Sequence, residues 1–558
     1  MHTLLCVLYF AVLLLLASYG IHRSHLVWQC WRYRRRLTQA KMVGGALAPD
    51  AELPVVTIQL PLFNEATVAV RLLEAVAKMD YPREKLEIQI LDDSTDETQA
   101  LARATVERIR RTGVDMVYIH RTDRTGYKAG ALDAGLTVAK GELVAIFDAD
   151  FLPPPDFLRH VVSHFQNDSV GMVQTRWGHL NRDHSLLTQV QALMLDGHHL
   201  VENRARFAAG NLFNFSGTGG IWRKRAIVEA GGWQHDTLTE DLDLSYRAQL
   251  AGWRFVYRDD VVSPAELPED VSAFRSQQFR WAKGTVQTSR KLLRRVVLGS
   301  KLSLGQRLEA FFHLTPHFAY PLMIFLSVLL LPALVFMPAT DAKTMIIVDL
   351  PLVIGTTGSL ATFYALAESA QGRSRLGALV RLPMLIALGA GLAPHLTKAV
   401  FEGLGNMAGE FVRTPKKGLL EGRYRARAAL PLAEIGLSAL SLLSVIASVQ
   451  TRHYFATPFA MLFCFGYGYV ALLVASEQLV RRREGHSIPP VESEKPATET
   501  PLAIDMLRGP SSGRAAVPEP SSPTGRGLRR LGSTRSTHSR RHGLFRAMLA
   551  ACRRGPSR

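Results

Sequence analysis

The segment LVAIFDAD, residues 143–150, is the stretch on which the predicted fold depends. It begins with an unbroken apolar run, which is typical of a β-strand buried on both faces. It ends in two carboxylates, Asp148 and Asp150, with one alanine between them. An apolar strand that stops at acidic residues predicts a central strand of an α/β sheet with a polar site at its carboxyl end.

Strands and helices alternate on the N-terminal side of this segment. The periodicity predicts strands at 55–60, 86–91 and 116–119 and helices at 68–79, 98–111 and 128–139. Such alternation is typical of a doubly wound, mainly parallel sheet covered by helices on both faces. Because ligands of these sheets bind beyond the carboxyl ends of the strands, Glu65, Asp92 and Asp93 are candidate site residues as well.

A third acidic stretch, TLTEDLDLSYR at 237–247, predicts the start of a helix. Thr239 is a suitable N-cap, and Glu240 and Asp241 follow where the helix dipole favours negative charge. A carboxylate held there can accept the proton of a hydroxyl nucleophile. Taken alone, the stretch fits an ordinary acidic helix start, and only its combination with the two other acidic clusters favours a catalytic role.

Oxygen ligands such as Asp148 and Asp150 suit Mg²⁺ or Mn²⁺ bound to a diphosphate, although a polar strand end before a proline-rich turn has the same composition. Lys128 follows Gly126 and fits either a contact with phosphate oxygens or a solvated helix start.

Gln277, Arg280 and Trp281 fall within one helical turn. Arginine can bind a diphosphate and tryptophan can stack on a sugar ring, but a helix on a membrane surface also carries both residue types.

The 558 residues divide into two halves of different composition. After the mixed α/β region, apolar runs at 318–337, 346–367, 430–449 and 458–480 predict membrane helices. The run at 382–394 is shorter than the ~20 residues that a span requires, so an interfacial or re-entrant segment is expected. Much of the +18 net charge lies beside the apolar runs and in the C-terminal tail, which favours lipid headgroups over nucleic acid as the partner.

The apolar run at 4–19 is followed, not preceded, by basic residues, which favours a signal-anchor helix over a cleaved signal peptide. We therefore expect an integral membrane protein of the cytoplasmic (inner) membrane, with a cytoplasmic catalytic domain. The predicted organisation is a membrane helix at 1–22, a basic cytoplasmic linker at 23–53, a catalytic domain at 54–300, interfacial and membrane helices at 301–484, and a disordered basic tail at 485–558.

These motifs, in this order and between membrane spans, resemble the processive family 2 glycosyltransferases, in particular the cellulose synthase catalytic subunit and the cellulose-synthase-like glucan and mannan synthases. The segments RWGHLN at 176–181 and GGW at 231–233 favour the glucan and mannan synthase branch. The resemblance covers residues 54–417. It implies a GT-A-like sheet inserted between transmembrane helices and a hexose transferred from UDP-glucose or GDP-mannose to a growing β-linked glycan with inversion.

The resemblance also implies roles for individual residues. Asp241 is the general base, and the loop 213–219 lies where the acceptor passes toward a channel. The donor and acceptor are bound by Glu65, Asp92, Asp93, Lys128, Asp148, Asp150, Glu240, Gln277, Arg280 and Trp281, with Asp148 and Asp150 also holding the metal. The loop 408–418 matches the gating loop of the family through Phe411, Thr414 and Lys416, with Arg413 in place of a valine.

Two other functions are compatible with the same residues. One is transfer of a single sugar to a lipid, as in ceramide glucosyltransferases. The other is a transporter whose cytoplasmic domain only binds a nucleotide. The sequence identifies no export partner.

Overall fold

A computed structural model describes residues 2–44, 49–299, 301–336, 354–405, 430–483 and 504–507. The strands in these ranges are β1 (Val56–Leu62), β2 (Leu86–Asp92), β3 (Met116–Arg121), β4 (Leu143–Ile146), β5 (Val170–His179), β6 (Gly220–Arg223), β7 (Arg254–Ala265) and β8 (Ile504–Leu507). They form one sheet in the order β7-β5-β6-β4-β1-β2-β3-β8.

Most neighbouring strands in this sheet run parallel. β1 is parallel to β2 and β4, β2 to β3, and β5 to β7. β6 is antiparallel to both β4 and β5, and β8 is antiparallel to β3. The prediction of a mainly parallel α/β sheet is confirmed.

The helices of the catalytic region cover both faces of the sheet. They are α3 (Ala69–Val76), α4 (Thr98–Arg110), α5 (Tyr127–Val138), α6 (Phe157–Val161), α7 (Leu186–Gly197), α8 (Arg204–Ala209), α9 (Lys224–Glu229), α10 (Glu240–Leu250) and α11 (Val271–Leu298). Side chains of β4 alternate between the faces: Leu143 and Ala145 belong to the apolar core that includes α3 and α4, whereas Val144 and Ile146 belong to the core that includes α5. This alternation of apolar residues toward two cores explains the unbroken apolar run in the sequence.

The structure differs from the predicted element bounds at the end of β1. The sequence predicts that Pro61 ends this strand, but Pro61 lies inside β1 and is aligned with Leu91 of β2. The pairing of β1 with β4 stops at Gln59, opposite Ile146. Beyond Gln59 that edge of β1 needs no further N–H donor, so a proline is tolerated.

Apolar helices flank the catalytic region. They are α1 (His2–Arg32), which α2 (Arg34–Gly44) follows, and then α12 (Leu304–Leu314), α13 (Ala319–Phe336), α14 (Ser359–Ser369), α15 (Arg375–Gly405), α16 (Leu432–Gln450) and α17 (Thr457–Arg483). In the described residues, five segments are long and apolar enough to cross a membrane: Leu4–Arg32, Pro316–Phe336, Arg375–Gly405, Leu432–Gln450 and Thr457–Leu479. Residues 23–44 of the predicted linker are therefore largely helical.

The expectation of a short interfacial or re-entrant segment at 382–394 is wrong in length. These residues lie inside α15, a continuous helix of 31 residues that contains Pro383 and Pro394. The flanking basic residues and the two prolines suggest helix ends in the sequence. Instead, the helix continues through both prolines because it is packed against α11, α14 and α17, which helps to hold it in place.

Some predictions concern residues outside the described ranges. The start of the span predicted at 346–367 lies there, and so does the gating loop with Phe411, Thr414 and Lys416. Most of the tail from 485 onward also lies outside, but Ile504–Leu507 forms β8 and corrects the prediction of disorder for these four residues. Their sequence, IDML, is apolar except for Asp505.

Candidate active site

One cavity opens at the carboxyl ends of the central strands. Glu65 follows β1, Asp93 follows β2, and Asp148 and Asp150 follow β4, so parallel strands bring these carboxylates to the same edge. The first turn of α10 and one face of α11 complete the wall. The predicted site residues that line this cavity are Glu65, Asp93, Lys128, Asp148, Asp150, Glu240, Asp241, Gln277, Arg280 and Trp281.

The two aspartates at the end of β2 have different environments. Asp93 lines the cavity, and Arg121 at the end of β3 donates to both of its carboxylate oxygens, at 2.8 Å from Nε and 2.5 Å from the terminal nitrogen. Burial raises the pKa of Asp93, and the Arg121 pair partly offsets this rise.

Asp92, by contrast, is fully buried behind the cavity wall. It accepts hydrogen bonds from the Tyr118 hydroxyl, at 2.6 Å, and from the Ser94 amide, at 2.9 Å. Asp92 therefore does not line the cavity, although the sequence predicts that it binds substrate together with Asp93. Its contacts hold the end of β2 in place rather than face the cavity.

Lys128 links the strand ends to the glycine-rich loop, residues 213–219, which contains Gly217 and Gly219. Its Nζ donates to Asp148 Oδ1 at 2.5 Å and to the Gly217 carbonyl at 3.0 Å. Burial lowers the pKa of Lys128, but the charges of Asp148 and Glu240 outweigh this effect and leave the pKa raised. The preceding residue, Tyr127, has a φ of 49°, a strained conformation of the kind found at functional sites. Lys128 is therefore a fixed ammonium group in the cavity.

Asp241 lies in the first turn of α10. The Leu242 amide donates to Asp241 Oδ1 at 2.8 Å, which fixes the carboxylate. Burial and the neighbouring charge of Glu240 raise the pKa of Asp241 to about 7. Glu240 likewise has a raised pKa, because of its burial, which the charge of Lys128 partly offsets. With a pKa of about 7, the Asp241 carboxylate can accept a proton near neutral pH.

The start of α10 is held by tertiary contacts and not by the predicted side-chain cap. Thr239 occupies the N-cap position, but its hydroxyl makes no capping hydrogen bond and instead lies 3.1 Å from the Thr288 hydroxyl on α11. Gly284 of α11 allows this approach, because a Cβ there would lie 2.6 Å from Thr239 Cγ2. The two helices that carry the predicted catalytic and donor-binding residues are thus packed directly together.

Arg280 faces the acidic part of the cavity from α11. Burial lowers its pKa to about 10, and the charges of Glu240, Asp148 and Glu65 oppose this decrease. A pKa of this size leaves the guanidinium charged at neutral pH. Gln277 and Trp281 line the cavity on the same face of the helix, as their predicted spacing within one turn requires.

The far end of α10 is attached to α12. The Tyr246 hydroxyl is hydrogen-bonded to His313 Nδ1 across 2.8 Å, and both side chains are buried. Burial keeps the pKa of His313 well below its usual value, so the neutral imidazole can accept this hydrogen bond.

Several lining residues are not among the individual site residues predicted from the sequence, although some lie in segments that the resemblance singles out. Arg124 lies in the turn after β3, with its guanidinium 3.3 Å from the centre of the Phe63 ring. Trp177 and His179 reach the cavity from β5, and the Ser216 hydroxyl lines it without a hydrogen-bond partner among the described residues. The segment 176–181 and the loop 213–219 could be singled out from the sequence, but the lining roles of Trp177, His179 and Ser216 follow from the position of β5 in the sheet and of the loop beside it.

Asp148 and Asp150 are the candidate metal ligands. Both are half-buried and line the cavity. Within the described ranges, no group of three or more His, Cys, Asp or Glu side chains could hold a metal ion. Two carboxylates suit Mg²⁺ or Mn²⁺ that takes its other ligands from substrate phosphates and water, so the residues fit a metal bound together with a diphosphate.

Comparison with known proteins gives three findings. Residues 54–284 match a family described as "Glycosyltransferase like family 2". A glucomannan 4-beta-mannosyltransferase from Oryza sativa subsp. japonica is 36% identical over 442 residues, which cover 75% of this chain and 84% of that relative. A solved mannosyltransferase from Pyrobaculum calidifontis, in complex with GDP-Man and Mn²⁺, is 22% identical to this chain, with a TM-score of 0.44. The match covers 66% of this chain and 98% of the chain of that structure.

Proposed function

The chain belongs to glycosyltransferase family 2 and is a cellulose-synthase-like hexosyltransferase that uses a nucleotide-sugar, and we propose that it adds mannose from GDP-mannose, or glucose from UDP-glucose, to a growing β-linked glycan. Mannose is the first sugar to test, because a relative that aligns with this chain over most of its own length is a glucomannan 4-beta-mannosyltransferase. Transfer is proposed to be processive and to proceed with inversion.

One observation supports this proposal above the others. Asp148, Asp150, Arg280 and Asp241 come from separate parts of the chain and line a single cavity. Two carboxylates for a metal, a cation for a diphosphate and a base for a hydroxyl are the groups that this transfer requires.

Asp241 is proposed to be the general base. Its raised pKa lets it accept the proton of the acceptor hydroxyl while that oxygen attacks the anomeric carbon of the donor. The bond from the anomeric carbon to the diphosphate breaks as the new glycosidic bond forms on the opposite face. An α-linked donor therefore gives a β-linked product.

The departing diphosphate requires positive charge. Lys128 and Arg280 both face the cavity, and they can donate hydrogen bonds to phosphate oxygens as negative charge develops. A divalent cation at Asp148 and Asp150 would supply further charge neutralisation. Trp281, which lines the same cavity as Arg280, offers an aromatic surface for the acceptor sugar.

The apolar helices beside the catalytic region are relevant to the export of the product. We propose that the catalytic domain is cytoplasmic and that the apolar helices beside it pass the glycan outward through the cytoplasmic (inner) membrane. The basic residues beside the apolar helices support this orientation.

The experiment uses membranes that contain the full chain, supplied separately with labelled GDP-mannose and UDP-glucose and with Mg²⁺ or Mn²⁺. The product is sized and digested with hydrolases specific for β-mannan, β-glucan and mixed linkages. We expect a long β-linked polymer, and expect Asp241→Asn to reduce its synthesis at least ~1,000-fold, whereas the exposed control Asp183→Asn retains it. A short lipid-linked product would instead indicate single-sugar transfer, and no transfer at all would favour a nucleotide-binding transporter.

A further inference from the structure

The stretch RWGHLN, residues 176–181, forms the end of β5 and continues along the cavity wall. Its side chains are bound to neighbouring backbone. Trp177 Nε1 donates to a carbonyl of the glycine-rich loop at 3.3 Å. Asn181 Nδ2 donates to the Leu267 carbonyl at 2.9 Å, and the Leu267 amide donates back to Asn181 Oδ1 at 2.8 Å. These contacts fix the backbone on both sides of His179.

His179 lines the cavity and also pairs with a buried carboxylate. Its Nε2 lies 3.1 Å from Oδ1 of Asp196 on α7, and Asp196 is fully buried. Arg182 donates to the other oxygen of Asp196 and to Glu368 on α14. Burial raises the pKa of Asp196, but the hydrogen bond from His179 and the charge of Arg182 outweigh this effect and leave the pKa lowered. Asp196 is therefore ionised at neutral pH.

The ionised Asp196 determines which nitrogen of the His179 ring carries the proton. Nε2 must be protonated to donate to a carboxylate, so Nδ1 of the neutral ring is a hydrogen-bond acceptor. Among the residues that the structure describes, Nδ1 has no hydrogen-bond donor. The ring can therefore accept a hydrogen bond from a hydroxyl group in the cavity.

The part of the wall around His179 is mostly apolar. The ring centres of Phe151 and Trp177 are 5.3 Å apart, and Ala265 is aligned with His179 between β5 and β7. Leu267 lines the cavity beside them. A diphosphate needs charged groups, whereas a pyranose ring packs its C–H groups on aromatic and apolar surface and donates its hydroxyls. This wall suits a sugar ring.

We propose that His179 binds the acceptor glycan, with Nδ1 accepting a hydrogen bond from a hydroxyl of an acceptor sugar that packs against Phe151 and Trp177. Asp196 is a positioning residue that holds the ring in this orientation. The inference rests on the proposed function, because it names a contact of the acceptor in that reaction. It gives the acceptor a second wall, on β5, in addition to Trp281 on α11.

Two variants separate the shape of the His179 ring from its hydrogen bond. His179→Phe keeps an aromatic ring without an acceptor, whereas His179→Asn can place its amide oxygen near the position of Nδ1. The matched control is His160→Asn, because His160 pairs with Asp156 at the same 3.1 Å on the solvent-exposed surface. Each full-length variant in membranes receives labelled GDP-mannose or UDP-glucose, whichever the wild type uses. The donor KM, the rate and the length of the glycan are measured.

We expect His179→Phe to lower the rate about tenfold and to shorten the glycan, with the donor KM changed less than about twofold. His179→Asn should recover much of the length, and His160→Asn should match the wild type. Asp196→Asn should shorten the glycan as well, but should add little in a His179→Phe background, because it acts through the ring.

A raised donor KM in His179→Phe would overturn the proposal, because His179 would then contact the donor. Equal losses of rate and donor affinity in both His179 variants would assign the residue a purely structural role, and unchanged kinetics in both would exclude any contact with substrate. No glycan from the wild type with either donor would instead overturn the proposed function, and this inference with it.

Discussion

Gly217 lies directly against the carboxylate of Asp241. A methyl group at position 217 would lie 3.1 Å from Asp241 Oδ2 and 3.6 Å from Lys128 Nζ. Gly217 also has a φ of +82°, which side chains rarely adopt. The glycine-rich loop therefore packs closely against the candidate base, and a side chain at position 217 would displace the Asp241 carboxylate.

We expect Gly217→Ala to lower kcat about 10- to 100-fold, because displacement of Asp241 by a few tenths of an ångström disturbs proton transfer. The matched control is Gly252→Ala. Gly252 has a φ of +106°, but a methyl group there would meet no atom within 4 Å, so this variant has comparable backbone strain without contact to the site. Both variants should lose some thermal stability, and only the first should lose kcat. An equal loss of kcat in both would assign the effect to strain alone.

The rate should depend on pH through Asp241. Burial and the charge of Glu240 raise the pKa of Asp241 to about 7, and a general base works only when deprotonated. We therefore expect kcat/KM to rise with pH up to about 7, to level off above it, and to fall about tenfold per pH unit below it.

Glu240→Gln tests the cause of this pKa. Removal of the neighbouring negative charge should lower the pKa of Asp241 and move the acidic limb of the profile to lower pH. Glu107→Gln, at an exposed position on α4, is the control and should leave the limb unchanged. An acidic limb that is the same in all three proteins would contradict the contribution of the Glu240 charge and leave burial as the cause of the raised pKa.

Donor affinity should depend on the pair between Arg121 and Asp93. Lysine cannot donate two parallel hydrogen bonds, so Arg121→Lys should leave Asp93 poorly oriented and raise KM for the donor about tenfold, with a small effect on kcat. The control is Arg108→Lys, because Arg108 pairs with Glu74 on the solvent-exposed surface. Steady-state kinetics with varied donor measures both. An unchanged donor KM for Arg121→Lys would separate this pair from donor binding.

Removal of divalent metal by a chelator should abolish transfer, and added Mg²⁺ or Mn²⁺ should restore it. Asp150→Asn should raise the metal concentration needed for half-maximal rate at least about tenfold, because one of two carboxylate ligands loses its charge. Asp183→Asn is again the matched control. Activity that persists after exhaustive chelation would exclude a metal at Asp148 and Asp150 from the reaction.

The part of the fold that sequence can predict is the part built from local pattern. The four strands β1 to β4 are short segments rich in apolar residues, and the predicted bounds of β1 to β3 agree with the structure within two residues at either end. The sequence does not predict β7, because Asp259, Asp260 and Pro264 interrupt its pattern. Its place depends on pairing with β5, which is distant in sequence.

The candidate site, like the fold, can be predicted from the sequence only in part. Residues at strand ends and in the first turn of α10 can be chosen from the sequence, because strand direction alone brings them to one edge. Asp92 and Asp93 look alike in the sequence, and only the structure shows that one is held inside by Tyr118 while the other reaches the cavity. Arg121 cannot be identified as a site residue from the sequence, because its role comes from its contact with Asp93 on the neighbouring strand.

The hydrogen bond between Tyr246 and His313 means that the helix carrying Asp241 is completed by a residue beyond the end of the predicted catalytic domain at 300. A water-soluble fragment cut at that boundary would leave the buried Tyr246 hydroxyl without its hydrogen-bond partner and release one end of the helix. We expect excision to weaken the enzyme even though every residue of the cavity is retained. The helix that carries the candidate base thus depends on a contact with α12 that such a cut would remove.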